Sequence, residues 1–315
     1  MKQRVYLGID TSCYTTSAAV LDEAGKLIGE GRKILDVKPG RCGLQQSEMV
    51  FQHTRNLPYI LEGILQDKDY ELVAIGVSGY PRPIENSYMP AFLAGSGVAR
   101  TLAAATGAKL HIISHQENHL EAGVWSAGGP DAERFLLLHA SGGTTDLLLA
   151  ERQANGRFNL TEVGGSIDLH AGQFIDRVGV ALGLKFPTGP ELEKLAATAE
   201  QMVELPVSVR KLNASLSGPA TAALRKLEAG ADGAALALGV QYALAETFTR
   251  MLRNGAAEYN VHAVLLVGGV ASNTYIRNHV TEKLAKRRVS VWVPEARFSC
   301  DNATGCAAFA WRMSK

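Results

Sequence analysis

Cysteine is scarce in this chain and poorly spaced for metal chemistry. Cys13, Cys42, Cys300 and Cys306 are the four present, and no two stand in a Cys-x-x-Cys arrangement. That excludes a cysteine-rich zinc site, and no spacing suggests a disulfide framework. Long apolar runs are lacking as well: no stretch approaches the roughly 20 consecutive apolar residues of a membrane-spanning helix. The chain does not open on a charged region, an apolar segment and a small-residue cleavage site, so a cytoplasmic, reducing location with no membrane partner is expected. Neither sign of charge is in excess, since 32 Lys and Arg face 31 Asp and Glu for a net charge of +1. A chain-wide basic field is thereby excluded, and any RNA partner has to be held by a local patch or by accessory proteins. The densest patch, Lys283, Lys286, Arg287 and Arg288, reads first as a solvated helix end.

What is present is a globular composition, 46% hydrophobic and 20% charged over 315 residues, a length that suggests about two domains. Arg4 to Asp10 reads as a buried strand ending in an acid. A small polar turn at Thr11-Ser12-Cys13-Tyr14-Thr15-Thr16 follows, then a returning strand from Ser17, a turn at Asp22 to Gly25 and a third strand from Lys26. The same grammar returns at Leu136 to Leu149, with Ser141 over Ser12 and Thr144-Thr145 over Thr15-Thr16, and a further strand at 157–163. A repeat of this length indicates two related lobes rather than a solenoid. Between and after the copies, helices alternate with strands. Helices are expected at about 48–66, 88–106, 166–183, 217–228 and 234–254, and strands at 72–78, 109–113, 261–267 and 289–293, with a final helix at the end of the chain. This makes the chain α/β. The expected division is a first lobe over 1–108 joined by 300–315, and a second lobe over 109–299.

His115 and His119 stand four apart at the end of an apolar run. On a helix they lie one turn above each other and can share a metal ion, and Asp301 offers a third ligand from a polar loop before the last helix. Taken alone, such a pair also suits two surface histidines. The Ser-, Thr- and Gly-rich tips of the two hairpins suit a nucleotide, because glycine lets backbone N–H groups approach phosphates. Asp10 at the first tip is a candidate for orienting a metal or a water. The Gly268-Gly269 turn after a buried strand offers another close approach, although simple tight turning explains it equally well.

The order of elements and these tips resemble the actin, sugar-kinase and heat-shock-chaperone superfamily. Six ordered motifs narrow the resemblance to the TsaD family of tRNA threonylcarbamoyladenosine transferases, once labelled glycoproteases. They are His115-x-x-x-His119, Ala140-Ser141-Gly142-Gly143-Thr144-Thr145, Ser166-Ile167-Asp168 through Ala171-Gly172 to Asp176-Arg177, Thr188-Gly189-Pro190-Glu191, Gly268-Gly269-Val270-Ala271-Ser272-Asn273 and Cys300-Asp301-Asn302-Ala303. The resemblance implies an actin-like ATPase fold with a nucleotide and metal cleft between two lobes. It implies one divalent metal, iron or zinc, on His115, His119 and Asp301. It also implies ATP or a threonylcarbamoyl-adenylate, with magnesium as a possible companion ion. Ser141, Gly142 and Gly143, led in by His139 and Ala140, match the segment at the phosphates or threonylcarbamoyl group. Ser12 is their counterpart in the first copy. Asp176, Gly189 and Asn273 match adenylate positions, with Gly268 and Gly269 beside them. Asp10 and Ser141 are the candidates for catalytic roles, and tRNA with accessory, TsaB-like and TsaE-like proteins is the implied company.

Several positions depart from the family pattern. Tyr14 and Thr15 stand where two acids are usual, Asp10 replaces Glu, Thr144 replaces His, Leu169 replaces Asp, Gln173 replaces Glu, and Gly79 to Pro83 replaces a Gly-Pro-Gly loop. Two functional readings therefore stand side by side: a TsaD-like threonylcarbamoyltransferase, and a divergent paralogue that binds nucleotide and metal but serves another acceptor or acts as an assembly partner. Peptidase activity is not expected, because Gln116, not Glu, follows the first histidine, and Glu117 lies about 200° around the helix from it.

Overall fold

A computed structural model describes residues 2–12, 14–37 and 44–315; Cys13 and Cys42 lie outside the described residues. In chain order the elements are β1 (Gln3–Asp10), β2 (Thr15–Asp22), β3 (Leu27–Ile34), α1 (Gln46–Leu65), β4 (Tyr70–Tyr80), α2 (Phe92–Thr106), β5 (Lys109–Ser114) and α3 (His115–Ala127). There follow β6 (Arg134–Ala140), β7 (Thr145–Arg152), β8 (Phe158–Ser166), α4 (Ala171–Ala181), α5 (Gly189–Ala196), β9 (Ser208–Arg210), β10 (Asn213–Ser215) and α6 (Ser217–Glu228). The chain closes with α7 (Gly233–Tyr259), β11 (Ala263–Val267), α8 (Thr274–Ala285), β12 (Ser290–Trp292), α9 (Ala296–Ser299) and α10 (Thr304–Arg312).

Two compact units result. One runs to Ser126 and resumes at Asp301–Lys315; the other is Ala127–Cys300. The expected division began the second lobe at residue 109, which placed residues 109–126 in it. Here β5 pairs in parallel with β4, Ala74 opposite Lys109, so this strand and the helix after it extend the first sheet.

In the first unit the five strands are ordered β3-β2-β1-β4-β5. Alternation along a strand sends successive side chains to opposite faces. Val5, Leu7 and Ile9 of β1 and Ile75 and Val77 of β4 pack with Leu57, Leu61 and Ile64 of α1. Tyr6, Gly8 and Asp10 therefore fall on the other face, and there Tyr6 and Ala74 pack with Ala303, Ala307 and Ala308 of the α10 segment. A Cβ at Gly8 would collide with the Ala303 carbonyl and the Ala307 nitrogen, and one at Gly76 with the Cys306 carbonyl. The two glycines lie opposite each other in the β1–β4 ladder and let α10 rest directly on the sheet. Helix α2 begins at Phe92 rather than near Tyr88, because the residue before Pro90 is driven out of the α region.

The second unit carries a seven-stranded sheet ordered β12-β11-β6-β7-β8-β10-β9. The short β9 and β10 at its edge carry no apolar run long enough to be read from sequence. Helix α7 is central: Leu236, Val240, Leu244, Phe248 and Leu252 form its buried stripe. Asp232 caps its start, accepting from the Ala235 N–H at 2.8 Å, and left-handed Asn260 ends it. No helix among the described residues is long and apolar enough to cross a membrane.

Candidate functional site

The histidine pair owes its placement to a capping box. Ser114, the last residue of β5, accepts from the Glu117 N–H on its hydroxyl at 3.1 Å, and its own N–H donates to Glu117 Oε2 at 2.7 Å. This makes His115 the first residue of α3 and puts His119 one turn on. Glu117 is only 6% exposed and spent on the cap, a structural role in keeping with the expectation that it faces away from the histidine pair.

His115 Nε2 and His119 Nε2 lie 3.1 Å apart, and Asp301 Oδ1 is 3.5 Å from the first and 3.3 Å from the second. A four-coordinate ion with bonds of about 2.0–2.1 Å separates its ligands by roughly 3.3–3.4 Å, so the spacing fits a metal centre. Two imidazoles and one carboxylate form a donor set suited to iron or zinc with positions left open for substrate. Behind the His115 ring, Nδ1 lies 3.4 Å from Asp10 Oδ1. Asp10 is fully buried; the Ser12 hydroxyl donates to its Oδ2 at 2.7 Å and the Ser78 hydroxyl to its Oδ1. From that side a carboxylate favours a proton on Nδ1, the tautomer that leaves Nε2 facing Asp301 and His119.

Electrostatics agree with this arrangement. Burial would lower His115, but Asp10 and Asp301 outweigh it and hold the imidazole up to about 10. Burial and the positive His115 push His119 down. Burial would raise Asp301, but its hydrogen bonds to both imidazoles hold it well below the usual carboxylate range. Two carboxylates flanking the histidine pair concentrate negative charge there, which suits a divalent cation.

Asp301 reaches the pair through α10. The Asn118 side chain, between the two histidines in sequence and fully buried, donates to the Asn302 carbonyl at 2.7 Å and accepts from the Cys306 N–H at 2.8 Å. Asn302 Oδ1 accepts from the Thr304 N–H at 2.9 Å, ordering the turn into the helix. Cys300 and Cys306 are free thiols. Sequence reasoning missed Asn118, Ser78 and Asn302. The structure supplies the reason for the first: residues 116–123 of α3 are all buried, so their polar side chains need partners.

The nucleotide candidates lie in the second unit. Between β6 and β7, the Ser141 N–H donates to the Thr144 carbonyl at 2.8 Å, and the Ser141 carbonyl accepts from the Gly172 N–H at 3.0 Å. The Thr145 hydroxyl accepts from the Ala171 N–H at 2.8 Å. The loop is thus tied to the start of α4, and a Cβ on Gly172 would fall 2.6 Å from Gly142 Cα. Gly142 and Gly143 themselves meet nothing where a Cβ would be, so packing does not explain them. His139 is buried, opposite Asp146 in the ladder. The Ala140 carbonyl accepts from the Val270 N–H at 3.0 Å, which brings the Gly268-Gly269 turn to the same end of the sheet. Gly268 has φ of 100°, a left-handed backbone that favours glycine.

Asp176 Oδ1 accepts from the Thr188 N–H at 2.8 Å and from its hydroxyl at 3.1 Å, setting the turn before Gly189. Asn273 caps α8, accepting from the Ile276 N–H at 3.0 Å, and Glu193 of α5 accepts from the neighbouring Thr274 N–H at 2.8 Å. Asp176, Gly189 and Asn273 are therefore linked through α5. Ser12 belongs to the first unit, where it is fully buried with its hydroxyl on Asp10. Two departures from the family pattern have structural duties. Leu169 is core, and Gln173 Oε1 accepts from the His170 N–H at 3.2 Å at the start of α4.

Solved structures and known sequences bear on this arrangement. Component A of the Acidaminococcus fermentans (R)-2-hydroxyglutaryl-CoA dehydratase is similar with a TM-score of 0.59 at 16% identity, covering 99% of both chains. That likeness shows the fold alone, an actin-like ATPase fold. A tRNA N6-adenosine threonylcarbamoyltransferase of Thermus thermophilus is 32% identical over 97% of this chain and 92% of its own length. A probable bifunctional tRNA threonylcarbamoyladenosine biosynthesis protein of Methanothermobacter thermautotrophicus is 30% identical over 97% of this chain, which spans 54% of that relative. The family model described as TsaD, tRNA N6-adenosine threonylcarbamoyltransferase, matches residues 52–308, a span that holds both histidines, Asp301 and every loop of the second unit described above. The chain belongs to the TsaD family.

Proposed function

We propose that the protein is a metal-dependent threonylcarbamoyltransferase that moves the threonylcarbamoyl group from its adenylate to an adenosine of tRNA. The observation that supports it most is the separation of 3.1 to 3.5 Å among His115 Nε2, His119 Nε2 and Asp301 Oδ1. These three residues would hold the divalent ion, iron or zinc. Bound there, such an ion supplies Lewis acidity toward carbamoyl or phosphate oxygens. Asp10 would keep the His115 proton on Nδ1, so that Nε2 presents a lone pair; buried as it is, it supports His115 rather than touching substrate. The Gly142 and Gly143 N–H groups and the Ser141 hydroxyl would be offered to the phosphate or acyl end, the Ser141 N–H being held by the Thr144 carbonyl. Asp176, Gly189 and Asn273, with Gly268 and Gly269, would hold the adenylate, ATP being the related ligand and magnesium a companion ion. Transfer needs no side-chain nucleophile: the acceptor amine attacks the carbamoyl carbonyl, the C–O bond to the phosphate breaks as the C–N bond forms, and AMP leaves while the amine proton passes to solvent.

A net charge of +1 argues for accessory proteins in holding tRNA; family membership suggests TsaB-like and TsaE-like partners and a cytoplasmic setting. Metal analysis of the purified protein should find about one ion per chain, and His115→Ala should weaken binding by more than about 100-fold. Purified chain, partners, tRNA and threonylcarbamoyl-adenylate should yield modified adenosine by mass spectrometry of the digested tRNA. Metal-free protein with unchanged transfer would overturn the proposal. A second reading, another acceptor or an assembly role, is favoured by the apolar burial of Leu169 where the family has an acid. Restoration of the modified nucleoside in cells depleted of their own transferase would sink it.

A further inference from the structure

We infer that Asn118 is a positioning residue for the metal site, an inference that rests on the metal reading proposed above. Its carboxamide would hold the Asp301 carboxylate in place over the histidine pair. The two histidines need no help to find each other, because a helical turn brings them together. Asp301 comes from 182 residues beyond His119 and has no such local constraint. The Asn118 side chain spans that gap with both of its polar groups. Its amide N–H donates to the carbonyl of Asn302, the residue after the ligand, and its oxygen accepts from the Cys306 N–H in the first turn of α10. The backbone closes in at the same point: a Cβ on Gly305 would overlap the Asn118 carbonyl. One side chain thus grips the segment immediately after Asp301 and the helix that carries it, both from a point between the two histidine ligands. A ligand held in this way binds without first being ordered, and loss of such support weakens metal sites by about 10- to 100-fold.

A purely structural hydrogen bond would have a different signature. Helices α3 and α10 share a second tie farther along, between Glu121 and Arg312 Nε at 3.2 Å. If Asn118 only joined the helices, breaking either tie would have the same consequence. The test is titration of full-length apo-protein with zinc against a chromophoric chelator, and with cobalt(II), whose visible bands report the ligand set. Asn118→Ala should weaken zinc by about 10- to 100-fold and change the cobalt spectrum. Arg312→Gln should lower the melting temperature and leave zinc affinity within about twofold of the parent. Asn118→Ser, which keeps a hydroxyl on the buried face but falls short of both partners, should weaken zinc like the alanine variant and serves if that variant folds poorly. Parental zinc affinity in both Asn118 variants overturns the inference, as does an equal loss in Arg312→Gln. His115→Ala separates the two claims. If it keeps parental affinity, the three-ligand reading falls and takes this inference with it. If it loses the metal while the Asn118 variants keep it, only the positioning role falls.

Discussion

The two sheets share a plan and differ where chemistry is expected. Strand order β3-β2-β1-β4-β5 in the first matches β8-β7-β6-β11-β12 in the second, with β10 and β9 added at one edge. Even the register agrees: Asp10 lies opposite Ser17 and His139 opposite Asp146, a displacement of 129 residues on both strands. At the centre of the first ladder Gly8 faces Gly76, and at the corresponding place in the second Leu137 faces Leu265. The leucine pair is fully buried core. The glycine pair admits α10, and with it Asp301, to the face that also carries Asp10 and Ser78. One architecture therefore supports two outcomes. Side chains at the ladder centre build ordinary core, and their removal makes room for a segment bearing Asp301 from the far end of the chain.

Making the first sheet resemble the second should have the largest effect. Gly8→Ala forces a Cβ into the backbone of α10, which cannot rotate away as a side chain could. A loss of more than about 3 kcal/mol in denaturant unfolding is expected, together with loss of zinc binding. Leu137→Ala is the reciprocal experiment. It should cost about 2–4 kcal/mol through its cavity while the folded fraction keeps parental zinc affinity, and equal damage to metal binding would break the comparison.

The next effect concerns how the second unit secures its loops, by hydroxyls and backbone on a carboxylate rather than by a buried charge cluster. Asp168 accepts from the Ser215 and Ser217 hydroxyls at 2.6 and 2.5 Å and from the Leu216 N–H at 2.8 Å. Burial opposes its ionisation, but these bonds hold it well below the usual carboxylate range. Asp168→Asn should cost about 1–2 kcal/mol at pH 7, discounted for its exposure. A depressed folded value contributes stability above the ordinary aspartate pKa and loses it as the pH falls. The gap between parent and variant in urea titrations should therefore start to narrow as the pH falls below about 4 and close only once the pH passes the depressed folded value. The smallest effect belongs to Glu117→Gln, which keeps a capping oxygen. It should cost less than about 1 kcal/mol and leave metal binding intact, whereas a large loss of metal would make Glu117 more than a cap.

Much of this was legible in the residues because the governing interactions are local. Period-2 apolar runs marked the meanders, polar turns bounded them, and their repetition marked two related lobes. The spacing of His115 and His119 implied a shared face once a helix was assumed. Other features were illegible for equally physical reasons. The short β9 and β10 exist because β8 offers an edge, with no apolar alternation of their own. The strand at β5 joins the first sheet through pairing with β4, a contact that no local pattern encodes. The capping roles were illegible too: Asn273 accepts from the Ile276 N–H at the start of α8, and Gln173 from the His170 N–H at the start of α4.

The histidine pair itself was decided by sequence, since helical periodicity follows from backbone geometry whatever surrounds it. The position of Asp301 beside it was not. Asp301 lies beside the pair because glycines at 8 and 76 let α10 settle on the sheet and because Asn118 engages both Asn302 and Cys306. Contacts between residues so far apart form only after the chain has closed a loop of that length, and that closure is a property of the packed tertiary structure.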